Sequence, residues 1–141
     1  MDKKGILLAA LAAAGGVYYT PVQIQKLMFL IDENIGNLIE GKKFNFKPYD
    51  YGPFDKAVYE ELESLSSDGL VEIIPQKTWL IYQLSPHAQE IANENLNSLS
   101  KEAKNYVIRA SEFVRRLSFN ELVKAIYNAY PEMKKNSVFQ G

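Results

Sequence analysis

The sequence predicts a mainly α-helical protein that carries a small β-hairpin or a three-stranded sheet. Apolar residues recur every three or four positions through most of the chain, which is the pattern of amphipathic helices. Capping and proline signals divide this pattern into short helices, most strongly at Thr20-Pro21 and at Ser118 to Glu121. Two runs rich in β-branched and aromatic residues, Leu70 to Ile74 and Trp79 to Leu84, flank a proline turn and predict the hairpin.

Composition favours one domain of ordinary globular character. The chain has 141 residues, of which 47% are apolar and 23% are charged, and this length can bury about 68% of the unfolded surface in a single core. The net charge is −1, so the whole protein exerts no strong field on nucleic acid or on acidic membranes. Cysteine is absent, which excludes disulfides and thiol chemistry and fits a cytoplasmic location.

The charge is uneven along the chain. Residues 1–70 carry 7 basic and 10 acidic side chains, a net −3, whereas residues 71–141 carry 9 and 7, a net +2. An anionic partner is therefore expected to approach the second half.

The first predicted helix runs roughly from Lys3 to Ala14. Two lysines, a short apolar run and small residues imitate a secretory signal peptide. The run is short, however, and Gly15-Gly16 is a plain helix stop, so we predict a core helix that is buried on several sides. No segment reaches the ~18 apolar residues that a membrane span requires.

The second predicted helix begins at Thr20, which caps it, and ends near Gly36. Pro21 suits the first helical position, and Gln23 completes a capping box. The predicted inward face consists of Ile24, Leu27, Met28 and Ile31. The side chains predicted to lie mostly outside are Gln25, Lys26, Asp32 and Glu33.

The stretch from Phe44 to Gly69 concentrates several structural signals. Alternation at Phe44 to Phe46 predicts a short strand, and Pro48 to Pro53 predicts a turn. A third helix is then expected to start at once and to end at Gly69. Its predicted apolar face comprises Phe54, Val58, Leu62 and Leu65.

The second half is predicted to contain three more helices. Ser85-Pro86 starts the fourth, Lys101 to Leu117 forms the fifth, and Ser118 starts the sixth, which Pro131 ends. The residues predicted to point inward on the fourth and sixth helices are Ala88, Ile91, Ala92, Leu122, Val123 and Ile126. We divide the chain into a core at residues 1–97 and a helical extension at residues 98–141, whose last residues from Met133 form a docked or loose tail.

This order of elements resembles the winged-helix superfamily, in which a strand pair directly follows the third helix. A sharper resemblance covers about a third of the chain. Gln25-Lys26-Leu27 in the second helix, followed by Tyr51-Gly52-Pro53 and by Val58-Tyr59, is similar to the Panacea (SocA-like) antitoxin domain of phage-associated and toxin–antitoxin proteins.

The Panacea resemblance implies a non-enzymatic protein that neutralises a toxin or passes a partner to a protease. Two features depart from the patterns that the resemblances imply. The connection from Gly36 to Gly52 is far longer than the turn of a DNA-reading helix-turn-helix. The large aromatic residue that often precedes Tyr-Gly-Pro in the family is Tyr49 here. The resemblance carries no toxin-facing residue across.

Five residues are candidates for binding a protein partner, because amphipathic aromatic side chains commonly anchor protein interfaces. They are Tyr49, Asp50, Tyr51, Tyr59 and Trp79. A structural interpretation stays open for them. In it, Gly52-Pro53 sets the backbone, Asp50 accepts N–H groups of the turn or of the next helix start, and the rings fill the edge of the core.

The alternative function is a winged-helix DNA-binding regulator, which would act as a homodimer. The third helix argues against it, because one lysine and five carboxylates lie in and beside that helix. This excess of negative charge would repel the phosphates of DNA. DNA binding would then depend on basic residues elsewhere, which are Lys77, Lys101, Lys104, Arg109, Arg115 and Arg116. Their structural interpretation is an ordinary solvated face.

Enzymatic functions have little support in the motifs. His87 is the only histidine, and no nucleotide-binding or serine-nucleophile motif occurs. Asp32 with Glu40 and Lys42 only weakly imitates a magnesium nuclease site. We therefore expect a cytoplasmic protein without catalytic residues, cofactor, metal or membrane partner, which binds a toxin or an adaptor client. A dimerisation module built on the last two helices is a third class of function.

Overall fold

The structure, a computed structural model, describes residues 1–140. Within them lie six α-helices: α1 (Lys3–Ala13), α2 (Pro21–Ile35), α3 (Lys56–Ser67), α4 (Gln89–Asn97), α5 (Lys101–Arg116) and α6 (Phe119–Ala129). Four strands form two separate antiparallel pairs: β1 (Lys47–Tyr49) with β2 (Gly52–Phe54), and β3 (Val71–Pro75) with β4 (Leu80–Leu84). Short 3-10 helices occupy Gly36–Leu38, Pro86–Ala88 and Pro131–Lys134. The predicted fold class, mainly α with a small β-hairpin, is confirmed.

Helix α1 lies at the centre of the core. Every residue from Gly5 to Ala12 is buried, as the alanine- and leucine-rich sequence predicts, because α3, α4 and α5 all pack around it. Asp2 caps the helix by accepting a 2.7 Å hydrogen bond from the Gly5 amide. The buried cluster around α1 includes residues of all six helices, so α5 and α6 share one core with the rest of the chain.

Helix α2 begins with the predicted capping box at Thr20. The predicted outer face, however, is wrong at three of its four positions. Gln25, Lys26 and Asp32 are only 2–3% exposed, and Glu33 alone lies outside. The cause is remote in sequence, because residues 43–55 fold back over this face and hydrogen bond to all three buried side chains.

The strand predicted at Phe44 to Phe46 is wrong, because the strand begins three residues later, as β1. Strands β1 and β2 form a tight hairpin in which Tyr49 pairs with Gly52, so the predicted turn is itself a hairpin. Phe54, predicted on the third helix, ends β2 instead. Helix α3 starts after it, since the side chain of Asp55 caps the helix by accepting a first-turn amide.

Strands β3 and β4 confirm the predicted second hairpin, with bounds shifted by one residue. Tyr19, between α1 and α2, extends this sheet by a single bridge. The main chains of Tyr19 and Tyr82 exchange hydrogen bonds of 2.8 and 3.0 Å. The third strand position beside the β3–β4 hairpin is thus occupied by Tyr19.

The C-terminal region follows its local signals with one exception. Helix α6 starts with the predicted capping box and ends before Pro131, whereas Ile91, predicted to point inward on α4, is 42% exposed. The tail is docked, since the Val138 amide donates a 2.9 Å hydrogen bond to the Asp50 carbonyl. The predicted tail also includes Gly141, which lies outside the described residues. No helix within residues 1–140 is long and apolar enough to cross a membrane.

Candidate functional site

A solvent-open groove of about 600 Å³ is lined by the start of α2, the β1–β2 hairpin and the start of α6. Its walls include four aromatic side chains with large exposed fractions: Tyr49 (54%), Tyr51 (43%), Trp79 (49%) and Phe119 (43%). Asp50 and Tyr59 also line it, so the structure brings all five predicted partner-binding residues to one surface. We call this surface the aromatic groove.

Ring contacts hold the walls of the aromatic groove in place. Tyr49 stacks on Phe54 with ring centroids 5.1 Å apart, and Tyr51 meets the ring of Phe119 edge-on, also at 5.1 Å. Tyr59 is half-buried and stacks on a tyrosine of β4 at 5.9 Å, and its burial raises the pKa of its hydroxyl to about 12. Rings that are already supported lose little conformational freedom when a ligand covers them.

The buried wall of the groove contains Lys26. This residue is 3% exposed, and its Nζ donates one hydrogen bond of 3.3 Å to the Pro53 carbonyl. No carboxylate among residues 1–140 lies within 4.0 Å of that nitrogen. Burial lowers the pKa of Lys26 to about 7, because the charged ammonium is poorly solvated there.

The Gln-Lys-Leu and Tyr-Gly-Pro segments that the sequence singles out are in direct contact. Gln25 holds the start of α3, since its Nε2 donates to the Asp55 carbonyl at 2.9 Å and its Oε1 accepts from the Asp55 amide at 3.1 Å. Gly52 has a φ of +106°, and a Cβ at this position would lie 3.5 Å from Cε of Lys26. Glycine therefore permits the left-handed backbone beside the lysine. The two segments form one packed unit that shapes the groove.

Asp50 lies at the turn of the β1–β2 hairpin and joins it to the C-terminal tail. Its carbonyl accepts hydrogen bonds from the Val138 amide at 2.9 Å and from the Ser137 hydroxyl at 3.3 Å. The interpretation in which Asp50 caps the next helix is wrong, because Asp55 caps α3. The tail thus supports the turn on which the exposed tyrosines sit.

The six basic candidates for nucleic-acid binding are divided between two elements. Lys77 lies in the β3–β4 turn, and the others lie along α5: Lys101, Lys104, Arg109, Arg115 and Arg116. Three of them already have partners within the protein. The Nζ of Lys104 donates to Asn97 at 2.6 Å, the Nε of Arg115 donates to Ser111 at 3.1 Å, and the Nε of Arg109 donates to the Asn105 carbonyl at 3.4 Å.

Asp32, the first acid of the nuclease-like pattern, is engaged by the backbone. Its two carboxylate oxygens accept hydrogen bonds of 2.9 Å from the amides of Lys43 and Phe44, and burial raises its pKa. Glu40 and His87 are both exposed. Within the described part of the chain, no three His, Cys, Asp or Glu side chains are grouped so that they could hold a metal ion.

Sequence reasoning missed Lys26 and Phe119 as groove residues. Helical periodicity places Lys26 outside, and only the covering hairpin buries it. Its position inside the Gln-Lys-Leu segment is the one signal that could have found it. Phe119 follows a helix cap without any pattern of its own, and its place in the groove depends on the packing of α6 beside α2 and β2.

No protein-family model matches this chain, and a search of curated proteins finds no match. The resemblance to the Panacea domain therefore stays a prediction.

Proposed function

We propose that this protein is a non-enzymatic regulatory protein that binds another protein in the aromatic groove, as an antitoxin-like or adaptor module. One observation carries the proposal: Tyr49, Tyr51, Trp79 and Phe119 line the same open groove while 43–54% exposed. Single exposed apolar residues are common on protein surfaces, whereas clustered ones are typical of interaction sites. Tyrosine and tryptophan are also enriched among the residues that dominate binding energy.

Burial of these rings would supply most of the binding free energy. Each side chain that becomes fully desolvated contributes roughly 1.5–3 kcal/mol. The ring contacts of Tyr49 and Tyr51 reduce the entropy lost on binding. Their hydroxyl groups and the indole N–H of Trp79 can add directional hydrogen bonds at the rim. A partner segment with apolar side chains and a polar backbone fits such a surface.

We infer the class of partner from the family resemblance. Because Gln25-Lys26-Leu27 and Tyr51-Gly52-Pro53 resemble the Panacea domain, we infer that the partner is a toxin or a client that is passed to a protease. The contact between the two segments supports this inference, since it gives the motif a physical role in building the groove.

The experiment that tests the proposal is affinity capture from a lysate of the host, with nuclease treatment and mass spectrometry. Wild-type protein, Tyr51→Ala and Tyr18→Ala are compared. Tyr18 is 46% exposed but does not line the groove, so its variant is the matched control. We expect the wild type and Tyr18→Ala to retain a stoichiometric protein partner that Tyr51→Ala loses. Equal capture by Tyr51→Ala would contradict the proposal.

A winged-helix DNA-binding regulator is the second candidate, favoured by the bridge between Tyr19 and Tyr82. Helix α3 opposes it, because Glu60 and Glu63 are exposed on the helix that would enter the groove of DNA. The same capture experiment separates the two functions. Recovery of nucleic acid, together with loss of every protein partner after nuclease treatment, would favour the DNA-binding regulator.

A further inference from the structure

Lys26 is the one cation among residues 1–140 that lacks both solvent and a counter-charge. An ammonium group has three N–H donors, but the protein supplies a single acceptor, the Pro53 carbonyl, at 3.3 Å. Asp32, the other buried charged residue, differs because two backbone amides satisfy it. Burial lowers the pKa of Lys26, as expected for an ammonium group that has no counter-charge within 4.0 Å.

The neighbouring side chains around Lys26 include three tyrosines and no carboxylate within 4.0 Å of its nitrogen. Tyr127, from α6, reaches the same point of the β1–β2 hairpin as the end of the Lys26 side chain. Tyr51 and Tyr59 line the groove beside it. Asp50 is the one acid among the lining residues, and it lies beyond 4.0 Å from the Lys26 nitrogen. A counter-charge for the protonated form of Lys26 must therefore come from outside the chain.

We propose that Lys26 recognises a carboxylate on the bound partner, namely an Asp or Glu side chain in a linear peptide segment. A neighbouring apolar side chain of that segment packs among Tyr51, Trp79 and Phe119. This inference rests on the proposed function, since it assigns the chemistry of the segment that enters the aromatic groove. Charge complementarity to Lys26 identifies the acid, and the exposed rings identify its apolar neighbour.

The groove makes such a pair more favourable than a pair on the surface. Ammonium–carboxylate hydrogen bonds are shorter and stronger than neutral ones. The surrounding rings would exclude water once the peptide is bound, which reduces the screening of the two charges. Lys26 is already desolvated in the free protein, so only the carboxylate must still lose its water.

The probe is a library of short random linear peptides displayed on phage. It is selected in parallel against the wild type, Lys26→Met and Lys77→Met. Methionine keeps an unbranched apolar side chain at position 26 and removes the ammonium. Lys77 is exposed in the β3–β4 turn, so Lys77→Met is the matched control for the loss of one positive charge on a neighbouring element.

We expect the wild type and Lys77→Met to enrich peptides with Asp or Glu beside an apolar residue. Replacing that acid by Asn or Gln should weaken binding to the wild type about tenfold or more and should leave binding to Lys26→Met nearly unchanged. In NMR titrations of protein with isotope-labelled lysine, the acidic peptide should raise the pKa of Lys26, and the matched amide peptide should not.

Two results would overturn the inference and are distinguishable from failure of the proposed function. Peptides that require Tyr51 but show no preference for an acid would remove the role of Lys26 and leave the groove as a docking site. A preference for acidic peptides that is retained by Lys26→Met would also remove the role of Lys26. Enrichment of no peptide that depends on Tyr51 would overturn both proposals. If Lys26→Met does not fold, the NMR titration of the wild type tests the inference by itself. Equal effects of the acidic peptide and the amide peptide on the pKa of Lys26 would contradict it.

Discussion

The aromatic groove and the basic face of α5 are the two candidate binding surfaces, and their charged groups are satisfied in different ways. On α5, Lys104 and Arg115 hydrogen bond to neighbouring side chains at 2.6 and 3.1 Å, and Arg109 and Arg116 are exposed to water. In the groove, Lys26 is buried with one hydrogen bond of 3.3 Å. The cations of α5 thus have solvent or hydrogen-bond partners, whereas Lys26 has a single hydrogen bond and no counter-charge.

This difference decides how much free energy each surface could gain by pairing its charges with those of a partner. An exposed cation is solvated in the free protein and screened by salt, so pairing it adds little free energy. A buried cation without a counter-charge destabilises the free protein, and a partner that supplies the counter-charge removes that cost. Variants that change one of the two surfaces at a time test this comparison.

The largest effect is expected for Lys26→Met, which should stabilise the protein by roughly 3 kcal/mol at neutral pH. The folded protein releases the Lys26 proton near pH 7, whereas the unfolded chain retains it until about pH 10.4. Between these values the unfolded state binds more protons, so the stability of the wild type should rise with pH by about 1.4 kcal/mol per unit.

Urea denaturation of both proteins from pH 7 to pH 9.5 measures this effect. The stability of Lys26→Met should not show this rise with pH. The range stops below pH 10 because burial raises the pKa values of Tyr19 and Tyr59 to about 12, which makes stability fall once tyrosines of the unfolded chain ionise. Parallel pH profiles for the two proteins would show that Lys26 is not a buried charge.

The next effect is expected for Gln25→Ala, which should destabilise the protein by about 1–3 kcal/mol, because it removes both hydrogen bonds to the Asp55 backbone. Gln83→Ala is the control. Gln83 donates a single 3.0 Å bond to Glu72 on the β3–β4 hairpin, and its loss should cost less than about 0.5 kcal/mol. Equal costs in urea denaturation would contradict the role of Gln25 at the start of α3.

Gly52→Ala should destabilise the protein by about 1–2 kcal/mol through its left-handed backbone. It should also weaken partner capture, because relief of that strain would shift the β1–β2 hairpin that carries Tyr49 and Tyr51. Gly41→Ala separates the two effects. Gly41 has the same φ of +106° and no neighbour within 4 Å of the added Cβ. The control should therefore match the loss of stability and retain capture. Normal capture by Gly52→Ala would mean that the hairpin does not shape the site.

The smallest effect is expected for the double variant Arg109→Ala with Arg116→Ala. Both side chains are exposed, so stability should change by less than about 0.5 kcal/mol, and protein-partner capture should match the wild type. Thermal unfolding and the capture experiment measure both quantities. Loss of the partner in this variant would move the binding surface from the groove to α5.

Local chemistry accounts for the parts of the fold that the sequence predicts. Thr20 can accept an amide three residues ahead whatever the rest of the chain does, and Pro131 cannot continue a helix wherever it packs. For the same reason the glycine pair after α1 and the proline turn before β4 lie where they are expected. Helix periodicity also identifies the buried faces of α1 and α6.

Contacts between remote residues account for the parts that are missed. Lys26 and Asp32 have the polarity of surface residues, and they are buried only because residues 43–55 fold over them. The β1–β2 hairpin begins after Phe46 because the backbone of residues 43–44 binds Asp32 instead of a strand. The five candidate residues of the groove could be selected one by one from their chemistry, but their convergence with Phe119 depends on the position of α6.

The most direct test of the groove as the binding surface is the affinity of the captured partner for wild-type protein, Tyr51→Ala and Tyr18→Ala, measured by isothermal titration calorimetry. We expect Tyr51→Ala to lower the affinity about 30-fold or more, as removal of an aromatic anchor does, and Tyr18→Ala to have almost no effect. Equal affinities of Tyr51→Ala and the wild type would contradict the assignment of the binding surface to the aromatic groove.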